Sequence, residues 1–275
     1  MFDLKNYALA GIVSIAWWFG AQSLWDVVQN FSTQWYWYVL ATLYCVTINE
    51  IFLHQLCTHS SIKVNPQRWT YKVLVFLTSV DNAYGPLTSF CLLHKNHHLY
   101  PDKDQDLVNY RTTWHSACLL APWVFFMNFS LNMPNKEKYL ASQNQQYSNL
   151  IKDTWTQICE RNRIILTLVY WAILWVVFPI FLFKIVFMGR FLLSIFKIFG
   201  DIFGHMKLPL GYRNYNTNDT SYNHLTFHYL SLCLLIAMLH NNHHGMLENQ
   251  ERQARWFEFD FSRVIMHRLL KPLLV

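Results

Sequence analysis

The pattern His240-Asn241-Asn242-His243-His244 repeats one already present at His94-Lys95-Asn96-His97-His98, and any fold of this chain has to account for both. With 13 histidines in 275 residues, H-x-x-H-H arises by chance in about one window in 10,000, or roughly 0.03 times per chain. On a helix, positions i, i+3 and i+4 share a face, so each box projects three imidazoles toward one point. A solvated polar turn accounts for one such box. Two identical ones make metal ligation the better reading.

A third cluster is His54-Gln55-Leu56-Cys57-Thr58-His59. Residues five apart on a regular helix point about 140° away from each other, so the helix has to end or distort between these two histidines for both to face inward. His205 follows Asp201 by four residues, on one helix face, although Asp201 also lies four residues from Lys197 and an ion pair is the plainer use of it. Nine histidines (His54, His59, His94, His97, His98, His205, His240, His243 and His244) can therefore converge. One metal takes four to six ligands, so nine imply two metals. Imidazole without thiolate suits iron, zinc or copper. The six cysteines are scattered with no C-x-x-C pair and read as free core thiols in a reducing setting. No E-x-x-H occurs, which excludes the soluble di-iron bundle pattern, and no H-E-x-x-H, which excludes the common zinc protease pattern. His115, His224, His228 and His267 read as surface or satisfied core residues.

Composition decides where this cage sits. Charged residues make up only 14% of the chain and apolar ones 53%, whereas soluble domains carry about a quarter charged residues. The mean hydropathy of +0.12 is too low for a chain that is all transmembrane helix. The expectation is an all-α, polytopic membrane protein: a single domain over 1–275, with four transmembrane helices at about 7–25, 35–53, 164–182 and 185–203 and a helical cytosolic cap formed by 54–163 and 204–275. Pro179 and Lys184 mark a hairpin between the last two spans. The short apolar runs 73–80, 117–129 and 225–239 read as buried or interface-lying helices, and 135–153 as solvated surface. The cap segments carry eleven and seven Lys/Arg against none in 26–34, which places both on the cytoplasmic face. The net charge of +6 is too diffuse for a nucleic-acid footprint.

The order of boxes, H-x-x-x-x-H after a second span and H-x-x-H-H twice further on, resembles the membrane fatty acid desaturases, with the acyl-CoA (delta-9-like) branch and its short bacterial members the nearest. Tyr84-Gly85-Pro86-Leu87, Tyr100-Pro101-Asp102 with Asp106, Gly204-His205, Gly211-Tyr212-Arg213-Asn214-Tyr215 and Arg255-Trp256-Phe257-Glu258-Phe259-Asp260 extend the resemblance over about 35–270. It implies two non-haem iron ions held by the nine histidines, O2 as co-substrate, and a cis double bond introduced into an acyl chain. Asp201 stands where the family has an asparagine that reaches iron through water. Ser60, Leu92-Leu93 and Ala237-Met238-Leu239 replace the family's Arg, Arg-Asp and Gly-Glu-Gly. The Arg-Asp position helps hold the CoA head group in the animal enzymes, so acyl-CoA, an acyl lipid and an acyl carrier all stay open as substrates. No haem-binding segment or G-x-G-x-x-G fingerprint is present, so electrons are expected from a separate ferredoxin or cytochrome b5 type donor. The alternatives are a membrane di-iron hydroxylase acting on fatty acyl chains or alkanes and, from a different class, a zinc-handling transporter. A transporter calls for polar ligands at mid-membrane, whereas these histidines lie outside the spans.

Overall fold

The computed structural model describes residues 4–59, 64–82, 87–106, 153–232, 239–246 and 253–275, with the side chains of 4–10, 13, 89, 196–202, 227, 230–232 and 263 outside that description. The described chain is mostly helical. Helix α1 (Leu4–Gln29) and helix α2 (Phe31–Thr58) meet at Asn30, whose backbone N–H and Nδ2 both donate to Asp26 O, at 3.1 and 3.0 Å. There follow α3 (Trp69–Asp81), α4 (Leu87–Leu99), α5 (Thr154–Arg161) and α6 (Arg163–Val177). Helix α7 is assembled from Pro179–Phe181, a π-helical stretch Leu182–Phe187 and Met188–Gly204. A two-stranded antiparallel ribbon pairs β1 (Gly211–Tyr212) with β2 (Asn223–His224), Gly211 opposite His224. It is a small departure from an all-helical expectation. Helices α8 (Leu225–Leu232), α9 (His240–Gly245) and α10 close the chain, the last built from Phe261–Ile265, Met266–Leu270 and Lys271–Leu274.

The expected spans 7–25 and 35–53 fall within α1 and α2. The break between the last two expected spans falls at Phe178 (φ −138°, ψ 59°), earlier than the 183–184 expected, because a residue preceding proline is pushed out of the helical region while Pro179 itself fits the first turn of α7. Lys184 does not break the chain. It lies inside α7 and pairs with Asp26, donating also to Gln34 Oε1 at 3.0 Å, so it ties α7 to the α1–α2 turn. Among the described residues one helix, α2, is long and apolar enough to cross a membrane, and α6 is apolar but shorter. The run 73–80 lies in α3, whereas 117–129, 135–152 and 233–238 lie outside the described residues.

Glycines set how closely the long helices approach. A Cβ on Gly20 would sit 2.3 Å from Phe187 O, and one on Gly189 would sit 2.9 Å from Ala41 O, so α7 touches α1 and α2 at backbone distance. Cys45 Sγ donates to Gly189 O at 3.0 Å at the second crossing. Below these crossings a core of Phe52, Leu56, Tyr71, Leu87, Leu92 and Met266 joins α2, α3, α4 and α10, each fully buried side chain contributing about 1.5–3 kcal/mol.

Helix ends are pinned by charge. Arg163 Nε donates to Ser79 O (2.7 Å) and Arg190 Nη1 to Val80 O (3.1 Å), satisfying carbonyls at the end of α3, where cations are favoured. Buried Asp81 accepts from Trp171 Nε1 (3.1 Å) and from Tyr44 Oη. At the start of α4 Glu160 accepts from Leu87 N (3.1 Å) and Thr88 Oγ1 (3.2 Å), so a carboxylate on α5 caps the helix that carries the second histidine box.

Candidate metal centre

The first histidine pair depends on an unusual helix. From Val46 to Thr58 α2 is π-helical over 13 residues, and i→i+5 bonding gives about 4.4 residues per turn, which brings residues five apart back toward one face. His59 N donates to His54 O at 3.2 Å and Thr58 Oγ1 to Leu53 O at 2.9 Å. The distortion expected between His54 and His59 is therefore a change of winding that begins well before them, and their ring centroids lie 5.0 Å apart.

The histidines gather in two groups. His54, His59, His94 and His243 form one, and His97, His205, His240 and His244 the other, with the ligand atoms of each group within 4.8 Å of one another. His98 joins the first, its Nε2 lying 2.9 Å from Nε2 of both His94 and His243. All nine expected histidines come together. They do not converge as expected, however, because each H-x-x-H-H box is split between the groups, whereas His54 and His59 stay together in the first. On a helix i and i+4 differ by about 40°, whereas i+3 falls about 60° to the other side. Box two therefore gives His94 and His98 to the first group and His97 to the second, while box three gives His243 to the first and His240 and His244 to the second. The Asp201 backbone lies in α7, and its side chain falls outside the described residues, as do Ser60 and His115.

Among the described residues four carboxylates aim the rings. Glu50 Oε1 faces His54 Nδ1 at 3.0 Å, Asp106 Oδ2 faces His97 Nδ1 at 2.8 Å, Asp102 Oδ1 faces His205 Nδ1 at 3.2 Å, and Asp219 Oδ2 faces His244 Nδ1 at 2.8 Å. A carboxylate at Nδ1 keeps the proton there and turns the Nε2 lone pair inward. Burial alone would raise the Asp219 carboxyl, but hydrogen bonds from His244, Ser221 and Thr217 outweigh it and hold it well below the usual carboxylate range. Asp102 is likewise held low against its burial, by His205 and Thr220. Burial and neighbouring imidazoles push His98 well below its ordinary value, and burial brings His244 down to about 4, so both rings are neutral near pH 7.

The donor set fits metal ions. His97 and His205 each hold their proton at Nδ1, yet their Nε2 atoms lie 3.2 Å apart, and His54 Nε2 lies 2.8 Å from His94 Nε2 and 3.2 Å from His243 Nε2. Lone pairs so close repel unless a cation sits between them. At a metal–nitrogen distance of about 2.1 Å, cis ligands of an octahedral ion lie about 3.0 Å apart, which is the spacing observed. His244 Nε2 is buried with no hydrogen-bond partner among the described residues and points the same way. Glycine makes room for this packing, since a Cβ on Gly204 would meet the His240 ring at 2.6 Å.

Sequence reasoning missed Glu50, Asp102, Asp106 and Asp219 as orienting groups. Glu50 lies four residues before His54, a helical spacing that gives a signal, and Asp102 and Asp106 follow box two closely. Asp219 lies 25 residues from His244 and gives none. His224 and His228 are buried away from both groups, and His267 lies half-buried on α10. A family model described as fatty acid desaturase matches residues 8–258. No curated protein matches the chain.

Proposed function

Because the chain belongs to the fatty acid desaturase family, we propose that it is an oxygen-dependent acyl desaturase with two iron ions held by its nine boxed histidines. The observation that carries this reading is the pair of imidazole groups whose ligand atoms lie within 4.8 Å of one another. Nitrogen donors without thiolate suit iron. The Nε2 spacings match the ligand edges of such ions. The family resemblance gives Asp201, four residues before His205, a part through water.

Bound there, two irons supply the activation of O2 that removes two hydrogens from adjacent methylenes of an acyl chain. The protein's contribution is positional. Glu50, Asp102, Asp106 and Asp219 keep a proton on Nδ1 of their histidines and hold each Nε2 in place. Burial of His54, His97, His205, His243 and His244 keeps water from the ring faces.

The membrane reading extends to four crossings by α1, α2, α6 and α7, with both cap segments on the cytoplasmic side. Outward-facing Ile165, Val169, Ile173 and Val176 on α6 support it, because an exposed face of aliphatic residues belongs against lipid rather than water. The chain is one domain in this reading. The substrate is a saturated acyl chain, with the CoA thioester of the delta-9-like branch as its first candidate carrier. Leu92 and Leu93 are buried, so any head-group contact comes from elsewhere than that position. Electrons come from a separate ferredoxin or cytochrome b5 type protein docking on the basic cap.

The test is expression in a desaturase-deficient host with a working donor, followed by mass spectrometry of acyl-CoA, lipid and carrier pools. New double bonds are expected, and the pool that first gains them names the carrier. Unchanged unsaturation from folded, iron-loaded protein refutes the proposal, and a hydroxylated chain redirects it to the hydroxylase branch.

A further inference from the structure

Box three contains two residues that a ligand pattern leaves without a task, Asn241 and Asn242, and both are fully buried. Asn242 Oδ1 accepts from Asn214 Nδ2 (2.8 Å) and Asn223 Nδ2 (2.7 Å), while its own Nδ2 donates to Glu258 Oε2 (3.0 Å). Asn241 Oδ1 accepts from the backbone N–H of Asn214 (2.8 Å) and Tyr215 (2.9 Å). The short helix α9 is thus stapled to the ribbon region from both asparagines.

Glu258 closes this network from the far end of the chain. Its Oε1 accepts from Tyr212 Oη (2.7 Å) and Asn214 Nδ2 (2.6 Å), and its Oε2 accepts from Asn242 Nδ2 (3.0 Å), Ala254 N (2.7 Å) and Arg255 N (2.7 Å). The side chain is wholly inaccessible. Five donors from three segments, none of them a histidine, therefore meet one carboxylate. An acceptor-only group is required here, because an amide in either orientation would turn N–H bonds toward existing donors.

We propose that Glu258 is a positioning residue that, acting through Asn242 and Asn214, holds box three in register with both imidazole groups at once. The inference rests on the two-metal reading. Box three supplies His243 to one group and His240 and His244 to the other, so a shift of α9 disturbs both. A carboxylate aimed at a single ring, such as Glu50 on His54, disturbs only one. Loss of groups that orient metal ligands typically weakens metal retention about 10–100-fold.

The experiment follows iron release to a ferrous chelator from full-length, iron-loaded protein in detergent. Glu258→Gln is expected to accelerate loss of both irons together, by about 10-fold or more. Glu50→Gln is expected to accelerate one iron and leave the other at the wild-type rate. Val75→Ala, in the core and away from box three, is expected to lower Tm without changing either rate. Wild-type release from Glu258→Gln, acceleration of one iron only, or equal acceleration by Val75→Ala overturns the proposal. Wild-type protein that takes up no iron would instead overturn the two-metal reading itself. Should Glu258→Gln fail to accumulate, Asn214→Ser removes the Nδ2 donor shared by Glu258 and Asn242 and carries the same expectation.

Discussion

The most diagnostic single substitution is Asp219→Asn. Oδ1 of Asp219 accepts from Ser221 N (2.8 Å), Ser221 Oγ (2.5 Å) and Thr217 Oγ1 (2.7 Å), while Oδ2 faces His244 Nδ1 at 2.8 Å. Three donors fix the oxygen of an introduced amide at the first position, so its NH2 faces His244. The imidazole then has to accept at Nδ1, which moves its proton to Nε2 and removes the lone pair offered to the metal. Loss of an orienting carboxylate weakens metal retention by about 10–100-fold, which is about 1.4–2.7 kcal/mol. The iron of the second group is therefore expected to escape at least tenfold faster to a chelator, with the first retained and product formation lost. Thermal unfolding of the same samples separates this from collapse of the fold. Two irons per chain, released at the wild-type rate from Asp219→Asn, would refute the tautomer argument.

Other outcomes follow from the same geometry. In Gly204→Ala the new Cβ would meet the His240 ring at 2.6 Å, so iron content should fall; normal iron content would contradict the packing. His243→Ala should abolish product and His267→Ala should not, as lipid analysis of expressing cells would reveal. Asp201→Asn, which restores the family residue, should remain active, and complete loss would show another role for Asp201. Acid should destabilise the metal-depleted protein. His244 titrates at about 4 when folded, below the ordinary value near 6.5, so the unfolded chain takes up a proton that the folded one refuses. Stability is then lost as pH falls from about 6.5 toward about 4, and a Tm that holds or rises over that window would falsify the reasoning.

Much of the centre was legible in the sequence because ligand identity is chemistry and spacing is helix geometry. His94, His97, His98, His240, His243 and His244 announced themselves by a pattern too rare for chance, and His205 by its place at the end of an apolar run. The split of each H-x-x-H-H box across two groups was not legible, since i+3 and i+4 share a face only coarsely, and the 100° between them suffices to serve two ions. The π winding of α2 was visible only as a conflict, five-residue spacing against a 3.6-residue period. Long-range partners such as Asp219 and Glu258 left no local trace, because a carboxylate recruited from a distant loop obeys no periodicity. The break at Phe178 shows the reverse case, in which Pro179 marked the interruption and only its exact residue was displaced.

The π-helical half of α2 also fixes a depth. Thirteen residues in an α-helix would rise about 20 Å, whereas the wider π winding, at about 1.15 Å per residue, rises about 15 Å. The histidines at its end are thus drawn about 5 Å closer to the apolar half of the helix than an α-helical continuation would leave them. The winding of one helix is in this way a ruler, and the distance of the histidine cage from the apolar half of α2 is set partly by how tightly residues 46–58 are coiled.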